Sequence, residues 1–497
     1  MKMSSISNAS VGRAQAAKGA MFTGLAQAYR IGLSFLSGIM LARLLMPADF
    51  GLVAMVSSCA ALITLVQDLG LTQATIQRER ISQAQASALF WLAAGFSLLL
   101  ALVFAAFARP IAWLFGDPRL IDLTLGFASL VVLGGAQSQH YALLNRELRF
   151  KTLAVIDALR VTLSTAVGIV VAWLTGSYWA LFSVSLVSAL VGLACAWIAS
   201  SFRPGRFSFE GEFKQISGFA FGVSGFNLVN YFARNADNLL IGRCYGAEQL
   251  GFYDRAYRLL LFPLSQIQVP LGRVMLPVLS RLRSEPERYR NAYGECVTLL
   301  LSAIQPGLVF VSLFPETVFS LLLGPHWAPA AEIFRWLGVA GLHQVMTSTA
   351  GWLFLSQGRG GDYFRLGVVM SVTTVASFIV GLPWGPLGVA IAYTVSDYLI
   401  RVPLVWISTG RRGPVSLHDL LAIALPHLVA TLAAALGLML LGNALRSPHM
   451  IDYAALLLAS YLTYCAVIAC FPAKRKILQA NLRMAIELVA SRRRKVA

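Results

Sequence analysis

Apolar segments long enough to cross a bilayer recur along this chain, and they restrict its fold more than any other feature. They fall at about 20–43, 50–70, 85–107, 121–142, 154–174, 178–200, 216–241, 256–279, 292–314, 333–355, 364–382, 386–408, 419–442 and 452–471. A helix rises about 1.5 Å per residue and the hydrocarbon core is about 30 Å thick, so about 20 mainly apolar residues make one crossing. Short hinges such as Met46-Pro47-Ala48-Asp49, Thr175-Gly176-Ser177 and Pro383-Trp384-Gly385-Pro386 separate the segments, leaving no loop long enough for an extramembrane domain. Of the 497 residues 57% are hydrophobic and 12% charged, against roughly a quarter charged in a soluble domain. So little charge cannot cover a water-soluble particle of this size. Open sheet edges are excluded from lipid, and the alternation of a membrane barrel is absent. The expected fold class is an all-α polytopic membrane protein of about fourteen transmembrane helices.

The formal net charge of +18 would suit nucleic acid, but its placement follows the membrane instead. With a cytoplasmic N-terminus, inside segments hold Arg78 and Arg80; Arg146, Arg149 and Lys151; Arg203, Arg206 and Lys214; Arg281, Arg283, Arg288 and Arg290; Arg359; and Arg411 and Arg412. Outside segments hold little beyond Arg109, Arg119 and Arg446. That bias orients a multi-pass protein, and the even count of crossings puts both termini in the cytoplasm. The tail, 472–497, reads as an amphipathic helix ending in Arg492-Arg493-Arg494-Lys495, a solvated orientation signal with anionic lipid or a partner enzyme as the functional alternative. The first segment carries Arg30 and Arg43 without an A-x-A-like site, so an uncleaved first span is expected. Six scattered cysteines lack metal or redox spacing, and no Walker A, dinucleotide, HExxH or GxSxG motif occurs. No catalytic residue, metal or cofactor is expected.

The chain also repeats itself. LARLLMPADFGLVAM from Leu41 is matched two hundred positions later by IGRCYGAEQLGFYDR, with Arg43 on Arg243 and Gly51 on Gly251. At an offset of 209, Gly176 meets Gly385 and Trp197-Ile198 meets Trp406-Ile407. This argues for a six-plus-six duplication: a first six-helix lobe over 1–205, a second over 206–412, two added spans over 413–471 and the basic tail. Repeats of this kind place a substrate path between the halves.

Polar stripes inside the spans suggest where that path runs. Thr23, Gln27, Arg30, Ser34 and Ser37 share one face of the first span. The seventh carries Asn227, Asn230, Arg234 and Asp237, with Tyr231 and Asn238 close by, at the same offset of 200. Facing stripes would line a hydrated, cationic cavity. Arginine stays charged in a membrane, and its planar fork matches phosphate oxygens, so an anionic, phosphate-bearing substrate fits. The competing expectation is that Arg30 and Arg234 pair across helices with Asp237, Asp68 or Asp397. Asp157 and Arg160 are three apart and are expected to pair with each other. Asp254, Arg255 and Arg258 lie near a helix end and can snorkel to the interface. Arg273 is a further embedded charge. His140 and His343 stand singly and are expected to satisfy local hydrogen bonds, with His140 an outside candidate for the cavity.

The stretches ARLLMPADFGLVAM (42–55), LLNRELRFKTLAVIDAL (143–159) and NYFARNADNLLIGRCYGAEQLGFYDRAYRL (230–259) resemble the flippases of lipid-linked oligosaccharides. These are the Wzx-type and colanic-acid-exporter-type members of the multidrug/oligosaccharidyl-lipid/polysaccharide superfamily. The resemblance implies an inverted-V pair of six-helix lobes plus two helices in a bacterial inner membrane. It implies an undecaprenyl-pyrophosphate-linked glycan as substrate, with glycosyltransferases and a polysaccharide polymerase as possible neighbours. It places basic cavity residues at Arg30, Arg234, Arg255 and Arg258, with Gln27, Ser34, Asn227, Asn230, Asp237 and Asn238 as polar lining. The main rival is a cation-coupled drug antiporter of the same architecture, for which Asp237, Asp397 and Asp68 would be the ion-coupling acids.

Overall fold

The computed structural model describes residues 4–68, 72, 75–76, 81–206, 213–445, 449–477 and 479, with backbone alone at 4–23, 68, 213–230 and 269. Its regular elements are all helical, and no strand occurs among the described residues. By length and composition ten described helices could cross a membrane, or up to eleven with a bent pair counted as one span. All fourteen expected segments fall on helix. The stretch Gly360–Gly410 counts once and covers two of them, while Ala328–Ser356 lies outside that set. Of the tail expected from 472, residues 478 and 480–497 lie outside the described residues.

Contacts divide the chain into two compact units, Met1–Asp254 with Leu322–His326 and Arg255–Leu321 with Trp327–Ala497. The first holds α1 (Ser4–Leu44), α2 (Pro47–Asp68), α3 (Gln83–Ala106), α4 (Ala108–Phe115), α5 (Leu120–Arg146), α6 (Phe150–Thr175), α7 (Trp179–Ala199) and the opening part of α8 (Phe213–Arg281). Local chemistry sets these boundaries. α2 begins on Pro47, whose fixed φ and missing N–H suit a first helical position. A capping box starts α3: Ser82 accepts from the Gln85 N–H while the Gln85 side chain accepts from the Ser82 N–H. α4 and α6 stop at Gly116 and Gly176, which take left-handed φ of 72° and 56°. Within this bundle α6 packs on α7 and α1, and α5 on α3, α7 and α2. The Gln67 amide stitches three helices, donating to Ser97 Oγ and to the Val131 carbonyl, both at 2.8 Å.

Halfway along, α8 breaks at Gly246, where φ 79° and ψ −175° leave the helical region. Only glycine tolerates that backbone freely. The break lets the two copies of the repeated motif pack on each other reciprocally. A Cβ on Gly51 would lie 1.6 Å from the Ala247 carbonyl oxygen, and one on Gly251 would lie 1.9 Å from that of Pro47. Position 47 corresponds to 247 in the repeat and 51 to 251, so exchanging the copies reproduces the contact. Self-complementary patches of this kind mark two-fold relatedness. Membrane helices gain little from hydrophobicity against lipid and associate through close backbone approach and polar bonds. The glycines supply that approach.

The second unit is built on α9 (Pro286–Leu313), whose apolar window is 67% buried. With it are α10 (Pro315–Leu322, of which Leu322 belongs to the first unit), α11 (Ala328–Ser356), α12 (Gly360–Gly381), α13 (Gly385–Ser396), α14 (Val402–Gly410), α15 (Leu417–Ala444) and α16 (Met450–Ala469), of which α11, α15 and α16 pack on α9 while α12, α13 and α14 pack on α11. A π-helical turn, Asp397–Arg401, joins α13 to α14. The last two helices are tied to α9 and to each other by polar bonds. The Tyr464 hydroxyl donates to Gln305 Oε1 at 2.5 Å and contacts His427 Nδ1 at 2.6 Å. Ser460 and Tyr461 donate to the carbonyls of Pro306 and Ala303, each at 2.9 Å. In hydrocarbon an unmet polar group costs several kcal/mol, so these bonds set the register.

Gly51→Ala or Gly251→Ala should lower the stability of the purified protein by about 2 kcal/mol or more, because a backbone rather than a flexible side chain must give way. Gly95→Ala, where a Cβ meets nothing within 4 Å, should leave the detergent melting curve where it is. Equal melting of all three variants would remove the close approach as a source of stability.

Candidate functional site

On α1, Gln27 and Arg30 are half-buried, Ser34 is exposed and Ser37 is buried. Beside them the Tyr29 hydroxyl contacts Thr162 Oγ1 at 2.9 Å, which anchors α1 to α6. On α8 the side chains of Asn227 and Asn230 lie outside the described set, as does that of Asp68 on α2. Arg234 is exposed, while Asp237 is 2% exposed. The Asp237 carboxylate accepts from the Asn238 N–H at 2.8 Å and from the Tyr253 hydroxyl at 3.1 Å. Asn238 Nδ2 donates to Ser58 Oγ at 3.2 Å, and the Tyr231 hydroxyl donates to the Ser58 carbonyl. The α8 stripe is therefore divided: Tyr231 and Asn238 hold α2, and Asp237 clasps the chain across the Gly246 break.

Arg30 and Arg234 make no hydrogen bond or ion pair among the described residues. The pairing expected between them and Asp237 or Asp397 does not occur, because both acids are engaged elsewhere. Arg255 is half-buried and Arg258 exposed, and both belong to the second unit with contacts of their own.

Asp397 sits instead at the centre of a buried charged cluster in the second unit. Arg401 Nε lies 2.6 Å from Asp397 Oδ1, and His343 Nε2 lies 2.7 Å from Oδ2. Arg401 is 1% exposed, Asp397 4% and His343 8%. The other guanidinium nitrogens donate to Thr374 Oγ1 at 2.5 Å and to the Tyr393 carbonyl at 2.7 Å, and the group lies 4.2 Å from the Tyr393 ring centre. The π-turn accompanies this cluster: the Val402 N–H reaches back five residues to the Asp397 carbonyl, a widened turn often found where a helix has a special task.

A sequence profile described as "Polysaccharide biosynthesis protein" matches residues 40–332, more than half of the chain. This chain belongs to that family. The lipopolysaccharide biosynthesis protein WzxC of Escherichia coli strain K12 is 24% identical over 87% of this chain and 89% of its own. The succinoglycan biosynthesis transport protein ExoT of Rhizobium meliloti strain 1021 is 26% identical over 76% and 74%. Among solved structures, the lipid II flippase MurJ in an inward closed conformation aligns with a TM-score of 0.73 at 15% identity, covering 91% of this chain and 98% of that one. An inward-facing MATE family transporter of the MOP superfamily aligns at 0.58 and 14% identity, covering 77% and 94%. The chain thus has the fold of MurJ- and MATE-like membrane transporters.

Two expectations need correction. Asp157 and Arg160 do not pair: Arg160 turns to the Tyr141 hydroxyl at 3.1 Å and Ser188 Oγ at 3.3 Å, both on other helices. His140 does not satisfy local hydrogen bonds: it is fully buried among the rings of Phe90, Trp197 and Phe202, and neither ring nitrogen has a hydrogen-bond partner among the described residues. The roles of Arg401 and His343 were missed. Arg401 stands four residues after Asp397, a spacing that brings two side chains together on one helix face; nothing short of the tertiary fold brings in His343.

Removing one partner of a buried ion pair strands the other charge, at about 3–5 kcal/mol. Arg401→Met should therefore destabilise the purified protein by about that amount, whereas Arg234→Gln should shift the melting temperature little. A melting curve for Arg401→Met no lower than that for Arg234→Gln would contradict the assignment of the cluster as structural.

Proposed function

We propose that this protein moves undecaprenyl-pyrophosphate-linked oligosaccharide repeat units from the cytoplasmic to the periplasmic face of the bacterial inner membrane, for surface or exopolysaccharide biosynthesis. The observation that carries this reading is the state of Arg30 and Arg234, which lie within long apolar helices and have no carboxylate partner among the described residues. Embedded ionisable groups are costly and mark pathways when they are not paired. A diphosphate would complete them with charge-assisted bonds, leaving the polyprenyl tail in lipid. The names borne by the relatives, a lipopolysaccharide biosynthesis protein and a succinoglycan transport protein, support the same substrate class.

In this proposal Gln27, Ser34, Asn227, Asn230 and Asn238 line the path. The path opens to one side and then the other, as alternating access requires, without a covalent step. Both termini face the cytoplasm, following the Lys and Arg bias. Glycosyltransferases that assemble the unit and a polymerase that consumes it are the natural neighbours. Of the acids expected to couple an ion, Asp397 is already neutralised by Arg401, so Asp237 and Asp68 are the ones we retain. The neutralisation of Asp397 and the names of the relatives favour this reading over a drug antiporter.

In a deletion strain, lipid-linked oligosaccharide should accumulate on the cytoplasmic face, read by a periplasmic glycosyl-acceptor assay. Arg234→Gln or Arg30→Gln should lower the complementing activity at least about tenfold, the effect of about 1.4 kcal/mol, at unchanged protein level in the membrane. Normal polysaccharide export in the deletion strain with raised sensitivity to cationic drugs would replace this reading by the antiporter.

A further inference from the structure

Where α12 begins and α14 ends, the second unit holds a cavity of about 320 Å³. Its walls are two helix faces. On α12, Asp362, Arg365, Leu366 and Val369 follow the spacing that brings side chains onto one face. From the other side come Leu404 and Ser408 of α14, then Arg411 and Arg412 just past its end. Both walls are ordered alike. The arginines stand toward the helix ends, and the apolar residues stand deeper in the apolar spans.

One of the four arginines has a structural task. Arg359 Nε pairs with Asp362 Oδ2 at 3.1 Å, its Nη atoms donate to the carbonyls of Arg412 and Ser408, and its guanidinium lies 4.7 Å from the Phe354 ring centre. It staples the turn after α14 to the end of α11 and engages the cavity's only acid. Arg365, Arg411 and Arg412 are exposed, and their side chains have no hydrogen bond or ion pair among the described residues. Three guanidiniums thus converge on a cleft whose inner wall is Leu366, Val369 and Leu404. That combination is amphiphilic: phosphate oxygens suit the mouth, and acyl carbons suit the wall.

We propose that this cavity binds an anionic phospholipid of the surrounding membrane, its phosphodiester held by Arg365, Arg411 and Arg412 and its acyl chains against the Leu366–Leu404 wall. The site is separate from Arg30 and Arg234, and it stands whether or not the transport proposal does. A bound lipid would tie the start of α12 to the end of α14 through a bridge that a zwitterionic lipid makes poorly.

The test is native mass spectrometry of the purified full-length protein in mild detergent, titrated with phosphatidylglycerol, cardiolipin or phosphatidylethanolamine. The wild-type protein should retain the two anionic lipids in preference to the zwitterionic one. The triple variant R365Q/R411Q/R412Q should lose affinity for them on the order of a hundredfold, the effect of three basic charges at an anionic surface. The triple lysine variant should recover most of it, and R281Q/R283Q, at other exposed positions, should bind as the wild type does. Equal binding by the wild type and the triple glutamine variant would overturn the proposal, and so would an equal loss in R281Q/R283Q. Displacement of the lipid by inorganic pyrophosphate at matched ionic strength and millimolar concentration would overturn the lipid assignment in favour of a free anion.

Discussion

Arg401 and Asp397 meet at 2.6 Å with His343 on the second carboxylate oxygen, in a helix bordered by apolar spans. A guanidinium does not shed its proton in hydrocarbon, so its charge must be met by protein, by water or by a ligand. In the second unit the protein meets it fully, down to the Thr374 hydroxyl and the Tyr393 carbonyl. In the first unit Arg30 and Arg234 make no ion pair among the described residues, while Asp237, three residues from Arg234, is turned to Tyr253. Arg401 is thus neutralised by protein, whereas Arg30 and Arg234 have no counter-charge among the described residues. On the transport proposal, that contrast separates a structural charge from one that a phosphate would meet.

The second constraint is close packing where hydrophobicity offers no preference between protein and lipid. Gly51 and Gly251 bring α2 and the broken α8 within backbone contact, and Asp237, Tyr231 and Asn238 hold the arrangement with polar bonds on either side of the Gly246 break. The contact is symmetric under exchange of the two copies of the sequence motif. In the second unit the corresponding work falls to Gln305, Tyr464 and Ser460, which bind α16 to α9, with His427 of α15 on the same tyrosine.

Much of this was legible in the residues themselves. Apolar length and the lack of charge dictate membrane helices whatever the tertiary fold, and the Gly51/Gly251 match shows as plain recurrence in the sequence. The stripe on α8 was also visible, but its division was not. Helical spacing tells which residues share a face; it does not tell that Ser58 waits opposite Asn238, or that a break at Gly246 folds Tyr253 back onto Asp237. Asp157 and Arg160 fail as a pair for the same reason: local spacing permitted the contact, and Tyr141 and Ser188 on neighbouring helices competed for the guanidinium and won. His343 could not have been assigned from one sequence, since its partner lies 54 residues away on another helix.

The central claim is that this chain alone carries a diphosphate-anchored glycan across a bilayer by means of its unneutralised arginines. Its most direct test is reconstitution of the purified protein into liposomes with a fluorescent, short-chain polyprenyl diphosphate glycan, following loss of signal to an impermeant quencher. Wild-type vesicles should expose the glycan on the far leaflet at least about tenfold faster than vesicles holding the Arg30→Gln, Arg234→Gln double variant. Wild-type vesicles no faster than protein-free ones, or a double variant as fast as the wild type, would contradict the account.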